Sequence, residues 1–285
     1  VTTIAFATGR AWADLVEDDR LVIEPLRARG VEVEAVVWDA SHRYSPGDSV
    51  VIRSCWDYHH RPEEFIRWAR QLEREGVALW NPAPVVEWNH DKRYLRELHA
   101  KGALVPETAW VEEGADLELA SLLAERGWTK AVVKPVVSAS AWRTFVTEPR
   151  TAGADEPAWR QLLAEAGAMV QPFVPEVQTQ GEWSLVFFGG KFSHAVLKRP
   201  RPGDFRVQSE LGGTAALVQP PPALLEEARR LLALVEEPLL FARVDGVEVN
   251  GAFVLMELEL IEPALFLGAD PSAPVRFADA IVSRR

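Results

Sequence analysis

Apolar and polar positions follow two different periods along the 285 residues of this chain. The short apolar run TIAFAT (3–8) leads into a helical stretch through Leu26, and VEVEAVVW (31–38) then alternates as a half-buried strand does. SVVIRSCW (49–56) is a third apolar run. PEEFIRWARQLEREG (62–76) repeats its apolar residues at helical spacing behind a leading proline. ALWNP (78–82) predicts another short strand, and VEWNHDKRYLRELHAKG (86–102) predicts one helix closed by Gly102. Strand, helix, strand, strand, helix is the order of an open α/β sheet.

Further along, the strands lengthen and helices become sparse. TKAVVKPVVSASAWRTFVT (129–147), AMVQPFV (168–174), EWSLVFFGGKFSHAVLKRP (182–200) and LFARVDGVEVNGAFVLMELELIE (240–262) predict antiparallel strands, with turns at Gly189-Gly190 and Asn250-Gly251. PPPALLEEARRLLALVEEP (220–238) predicts a helix opened and closed by prolines. EPRTAGADEP (148–157) predicts an exposed turn or loop. The fold class is therefore α/β (α+β), with a parallel N-terminal part and a mixed C-terminal part that meet near residues 80–105.

Composition narrows the function. With 48% hydrophobic and 26% charged residues and no apolar run long enough for a membrane span, the chain reads as soluble and globular, with no membrane role. A net charge of -11 argues against nucleic-acid binding, which needs a basic surface. Cys55 has no intramolecular partner and VTTIAFATGR lacks the features of a signal peptide, so a reducing, cytoplasmic setting is expected. Cys55 itself reads as a buried small hydrophobe, and His59, His60 and His194 show no metal-ligand pattern.

One stretch is anomalous. LMELELIEP (255–263) reads as a strand, yet three of its nine residues are acidic. Strand alternation puts Glu257 and Glu259 on one face, and Met256, Leu258 and Leu260 on the other. At a spacing of about 6–7 Å and an effective dielectric of ~20, the two carboxylates repel by roughly 2.5 kcal/mol. Either that face is wet or something cationic sits on it. Asp245, in ARVDG on the facing arm of the same hairpin, adds a third acid. Three hard oxygen ligands suit Mg²⁺, and two such ions would need about this many acids.

Other motifs point toward a phosphorylated ligand. Lys134 ends the apolar strand AVVKP and enters VVSASAWRT, whose backbone N–H groups could close over phosphate. Lys92 lies near a helix start, and Lys198, Arg199 and Arg206 precede the pair Gly212-Gly213. MVQPFVPEV, with Gln171 and Phe173, could present backbone groups and an apolar side chain to an adenine ring. RSCWDYHHR (53–61) follows a strand of the open sheet, where ligands bind. There Arg53 could hold a substrate carboxylate and Asp57 an ammonium, with Trp56 and Tyr58 as walls; the alternative is that these residues cap a helix and pack an interface.

These segments, WNHDKRYL, VVKP, VQPFV, GDFRVQSELGG and ARVDG…LMELELIEP, resemble the ATP-grasp superfamily, in the branch of glutathione synthetase-like enzymes, ribosomal-protein glutamate ligases and cycloserine synthetase. The resemblance implies an ATP-grasp fold in which residues 1–85, 86–170 and 171–285 form an α/β N-terminal domain and two mixed subdomains that clamp the nucleotide. It implies ATP and Mg²⁺, two ions, as cofactors. Lys92 and Lys134 would touch the phosphates, Gln171, Phe173 and Val174 would form the adenine hinge, and Glu182 would meet the ribose. Arg206, with Lys198 beside it, would be catalytic, Arg206 steadying the transferring phosphate and the acyl phosphate. Asp245, Glu257 and Glu259 would bind the metal. The activity implied is carboxylate–amine ligation through an acyl phosphate, on small carboxylate and amine substrates, by a homodimer. Intramolecular amide closure and a nucleotide-binding protein without turnover are the alternatives. Two positions depart from the pattern: Glu259 stands where the glutamate ligases typically have Asn, and the loop after Lys134 carries Ser and Ala where many relatives have several glycines.

Overall fold

The structure, a computed structural model, describes residues 2–201 and 212–284. Four parallel strands, β1 (Thr2–Thr8), β2 (Val31–Val37), β3 (Ser49–Ile52) and β4 (Ala78–Trp80), form the first sheet in the order β2-β1-β3-β4. β5 (Ala109–Val111), β6 (Ala131–Pro135), β7 (Phe145–Thr147) and β8 (Ala168–Pro172) form a second, antiparallel sheet in the order β5-β8-β6-β7. The third is antiparallel too. Its strands β9 (Glu182–Phe188), β10 (Lys191–Arg199), β11 (Thr214–Leu217), β12 (Phe241–Val249) and β13 (Ala252–Glu259) run in the order β11-β10-β9-β12-β13.

The helix Pro62–Arg74 shows how local sequence makes these elements. Pro62 pre-sets the first turn, Glu63 and Glu64 face the positive end of the helix dipole, and Phe65, Ala69 and Leu72 form the buried stripe. The stop is equally local. Gly76, at φ +80°, donates to Glu73 O and Val77 donates to Leu72 O, which satisfies the last carbonyls and turns the chain into β4.

The first sheet does not stand alone. Ile4, Phe6 and Val51 pack in one core with Phe188 and Phe241 of the third sheet and Phe277 of the C-terminal helix Ala273–Val282. Strand β13 lies at the edge of its sheet, and three side chains from the segment after β4 stand in for a missing neighbour strand. Tyr94 Oη accepts from Leu258 N, Asn89 accepts from Leu260 N and donates to Leu258 O, and Asn81 donates to Leu260 O. Asn81 also pairs with Phe241 O and Leu240 N. All these groups are buried, where an unmatched one costs about 1–3 kcal/mol.

Several expectations need correction. The predicted helix 86–102 is two helices, Ala83–Asn89 and Tyr94–Ala100, because Lys92 N donates to Val136 O and Asp91 accepts from Arg93 N, drawing the backbone out of the helical ladder. The run 148–157 is not a loop; it leads into the helix Ala152–Glu165, whose Trp159, Leu162 and Leu163 are buried. Pro157 and Gly153 look like breakers, but the carbonyl that Pro157 leaves without a donor, that of Gly153, belongs to an exposed residue at the start of the helix, where water can reach it. Strand β3 ends at Ile52, so Arg53–Trp56 lie beyond it.

The face assignment of Met256 also changes. Gly246 pairs with Leu255 but Asp245 with Glu257, so Met256 is an extra residue in a β-bulge. Met256 therefore packs with Val174, Val177 and Val254, while Leu258 and Leu260 face the opposite core with Phe253 and Leu255. A side chain at Gly246 would collide with Phe253 and with Val254 O at 2.6 Å, which explains glycine at this position.

Replacing Asn81 by Leu keeps its bulk and strands three buried backbone groups. Urea unfolding is expected to show a loss of about 3 kcal/mol, with the slope of the transition unchanged.

Candidate active site

The three sheets converge on a cavity of about 250 Å³. Trp56, Lys92, Lys134, Gln171, Phe173, Val174, Glu182, Lys198, Asp245, Glu257 and Glu259, eleven positions singled out in the sequence from six separate segments, all line it. Arg206 lies outside the described residues.

Two of the candidates are not brought there. Arg53 is 1% exposed; its guanidinium pairs with Asp19 at 2.9 Å and donates to Pro263 O at 2.8 Å. Asp57 accepts from Trp38 Nε1 and packs against Gly9. Both belong to the packing between the first sheet and its surroundings. Neither lines the cavity.

At the cavity floor the acidic face is matched by cations from the protein itself. Arg243 sits two residues before Asp245 on the same strand face and directly across from Glu259. It bonds Asp245 at 2.9 Å, Glu259 as an ion pair, and Ala264 O at 2.9 Å. Lys198 reaches Asp245 at 2.9 Å and Glu182 at 2.6 Å, and Lys92 pairs with Glu257. Asp245 is also held by Ser184 Oγ at 2.7 Å. Burial opposes charge on Asp245, but Arg243 and Lys198 outweigh it and hold its carboxyl well below the usual range. The same holds for Glu257, where burial is offset by Lys92 and Lys134.

Charge matching is incomplete at the other end. Among the described residues, five carboxyl groups, Glu182, Asp245, Glu257, Glu259 and Glu262, share the cavity with four cations, Lys92, Lys134, Lys198 and Arg243. Burial pushes Glu259 up to about 7 against the pull of Arg243, and Glu257 and Asp245 add to the rise. Glu262 goes up to about 8, through burial and the nearby Glu259. Lys134 has no ion-pair partner among the described residues, and burial lowers its pKa. It is a half-buried ammonium available to an anion.

A narrow apolar slot lies beside this cluster, between Val132 on one strand and Val174, Val177 and Met256. Gln171 is spent on packing, its Nε2 donating to Thr108 Oγ1, and Phe173 N donates to Lys130 O. The Lys130 ammonium lies 3.9 Å from the centre of the Phe173 ring. The loop after β6 covers the cavity with Ser138, Ala139, Ser140 and Ala141. Ser140, Ala141 and Arg143 adopt positive φ, near 50°, a conformation that costs a non-glycine residue about 1–2 kcal/mol. Side chains hold the loop there: Trp142 packs against His59 and His60, Arg143 pairs with Glu165, and Lys92 Nζ lies 3.4 Å from Ser138 O.

Sequence reasoning missed Arg243, Met256 and Val177. Arg243 carried a usable signal, since an arginine two residues before Asp245 must share its strand face. Met256 did not, because the bulge reverses its face.

The three carboxylates Asp245, Glu257 and Glu259 have the hard oxygen chemistry of a Mg²⁺ ligand set. As placed, Arg243 and Lys92 lie among them, and no three acidic, His or Cys side chains among the described residues are close enough to share one ion.

Comparison with known proteins decides what such a cavity belongs to. The chain is 31% identical over 283 residues to the cycloserine biosynthesis protein DcsG of Streptomyces lavendulae, with 92% of each chain covered. This chain belongs to the DcsG family of ATP-grasp ligases. Residues 4–81 match the model of the D-cycloserine synthetase DcsG N-terminal domain. The crystal structure of D-cycloserine synthetase DcsG superposes with a TM-score of 0.88 at 29% identity, covering 99% of each chain. A probable alpha-L-glutamate ligase of Shewanella frigidimarina is 28% identical over 214 residues, 75% of this chain and 69% of its own. The protein is thus an enzyme that forms C–N bonds. No helix among the described residues is long and apolar enough to cross a membrane.

The raised Glu262 carboxyl makes a stability prediction for this DcsG-like ligase. Its folded pKa of about 8 lies above the unfolded carboxyl's ~4.3, so the folded state binds the extra proton and stability falls as pH rises between those values. The Glu262→Gln variant is expected to melt at a higher temperature than the parent protein at pH 8, with the margin shrinking toward pH 5, as checked by calorimetry across that range.

Proposed function

We propose that the enzyme joins a small amino-acid-like carboxylic acid to an amine at the expense of ATP. The carboxylate oxygen attacks the γ-phosphorus and releases ADP; the amine then attacks the acyl carbon, losing a proton as phosphate departs and the amide forms. Little covalent chemistry falls to the protein, so positioning and charge neutralisation dominate. The observation that carries this reading is the convergence in one cavity of Lys92, Lys134, Lys198 and Arg243 with Asp245, Glu257 and Glu259, between an apolar slot and an aromatic wall. The family comparisons do not favour intramolecular closure or a protein without turnover.

Within this reading, residues 1–85, 86–170 and 171–285 are three units that clamp the nucleotide. The purine lies in the slot of Val132, Val174, Val177 and Met256, beside Gln171 and Phe173, with Glu182 toward the ribose. Lys134 and Lys92 take the phosphates, Lys134 the more readily because no carboxylate engages it. Lys198 braces Asp245 and Glu182, and Arg206 steadies the transferring phosphoryl group. Arg243 holds the acid being activated. Mg²⁺ belongs with the nucleotide: a triphosphate added alone would bring several negative charges to a cluster already rich in carboxyl groups. Asp245, Glu257 and Glu259 would be shared between two such ions, one or two carboxylates to each, with phosphate oxygens supplying further ligands, and the ions when bound neutralise phosphate charge.

The test is ADP release from Mg-ATP with small amino acids, pairs of amino acids and O-substituted serines. Stimulated release is expected from the parent protein, and a drop of at least about 100-fold is expected in Glu257→Gln. A protein that hydrolyses no ATP with any of them would contradict the reading.

A further inference from the structure

The chain leaves β13 at Glu259 and runs through residues 260–266 along the cavity, with Glu262, Ala264 and Phe266 lining it and Pro263 and Leu265 buried on the other side. Four consecutive carbonyls of this segment are already taken. Trp56 Nε1 donates to Glu262 O at 2.8 Å, Arg53 to Pro263 O at 2.8 Å and Arg243 to Ala264 O at 2.9 Å, and His194 Nε2 lies 3.0 Å from Leu265 O. Two donors follow β3 of the first sheet and two stand on β10 and β12 of the third, so the segment is tied to both parts of the molecule. Its main chain therefore offers a ligand no unclaimed carbonyl between 262 and 265.

The Glu262 side chain is different. Among the described residues its carboxyl has no ion-pair partner and hydrogen-bonds only to its own backbone N–H, although Asp245, Glu257 and Glu259 each have a cation in contact. Trp56 is fixed beside it through the Glu262 carbonyl, Trp12 packs edge-on against Trp56 at 4.9 Å, and Tyr58 and Phe266 also line the cavity, the Phe266 ring lying 5.5 Å from the Arg243 guanidinium. A carboxylate without a cation of its own, among aromatic walls, recognises a compact cation by ion pairing and by cation–π attraction. Burial and the nearby Glu259, which also raise the carboxyl's pKa, disfavour its charge, and a ligand ammonium offsets both.

Resting on the ligase reading above, we propose that Glu262 is a specificity-determining residue that receives the ammonium group of the acid substrate, between the rings of Trp56, Tyr58 and Phe266. Arg53, once a candidate for touching substrate, acts here as a positioning residue for the segment that carries Glu262.

The experiment compares small α-amino acids and O-substituted serines, each with the 2-hydroxy acid of the same side chain, by ADP release with Mg-ATP and hydroxylamine as the amine. The parent protein is expected to favour the amino member of an active pair by about 100-fold or more in kcat/KM, as a site built around a polar group rejects the analogue lacking it. In Glu262→Gln that ratio is expected to collapse to within about 3-fold, mostly through a higher KM for the amino acid, with a Mg-ATP-induced rise in melting temperature as the control for folding. A ratio that Glu262→Gln leaves intact, or a loss in kcat shared equally by both members of a pair, would overturn the assignment while leaving the ligase reading standing. If neither series stimulates ADP release by the parent protein, the ligase reading itself fails and the assignment falls with it.

Discussion

A carboxylate withdrawn from bulk water has to be matched by a cation or give up its charge. Among the described residues, five carboxyl groups face that choice in one cavity, beside four cations. Asp245 and Glu257 are matched and stay ionised, whereas Glu259 and Glu262 are pushed upward. Much of the site's chemistry follows from this imbalance. It favours added positive charge beside Glu259 and at Glu262. A Mg-nucleotide and an amine-bearing acid are ligands of that kind.

Such a cluster is useful only if its groups cannot drift apart to relieve repulsion. Backbone hydrogen bonding holds them. Asn81, Asn89 and Tyr94 replace a neighbouring strand along the edge of β13, and Trp56, Arg53, Arg243 and His194 hold the carbonyls that follow it. The acidic strand is thereby fixed to the first sheet as well as to its own. Arg243 does both jobs at once, since one guanidinium spans Asp245, Glu259 and Ala264 O. Preorganisation of this kind is what lets charged groups act without rearranging during the reaction.

The strands, their turns and the cavity-lining lysines were legible in the sequence because each depends on near neighbours. Asn250, at φ +52°, and Gly251, at φ +80°, form the tight turn that the Asn-Gly pair predicts. What stayed hidden depends on long-range contacts. The break at Lys92 is made by a hydrogen bond to Val136, 44 positions away, and the Met256 bulge only exists because β12 pairs out of step with β13. Arg53 illustrates the limit best. An arginine after a strand of an open sheet reads as a ligand group, but its partner Asp19 and its acceptor Pro263 O come from segments that no local pattern connects to it. The serine and alanine loop after Lys134 is a similar case: tertiary contacts through Trp142 and Arg143 hold a backbone that glycine would reach unaided.

The central claim is that ATP activates a carboxylate as an acyl phosphate in this cavity. It is tested most directly by supplying an active acid substrate labelled with ¹⁸O in its carboxyl group and analysing the released phosphate by mass spectrometry. The account predicts one ¹⁸O atom per phosphate, carried over when the carboxylate oxygen bonds to phosphorus and the acyl carbon–oxygen bond later breaks. Unlabelled phosphate formed alongside amide would contradict it.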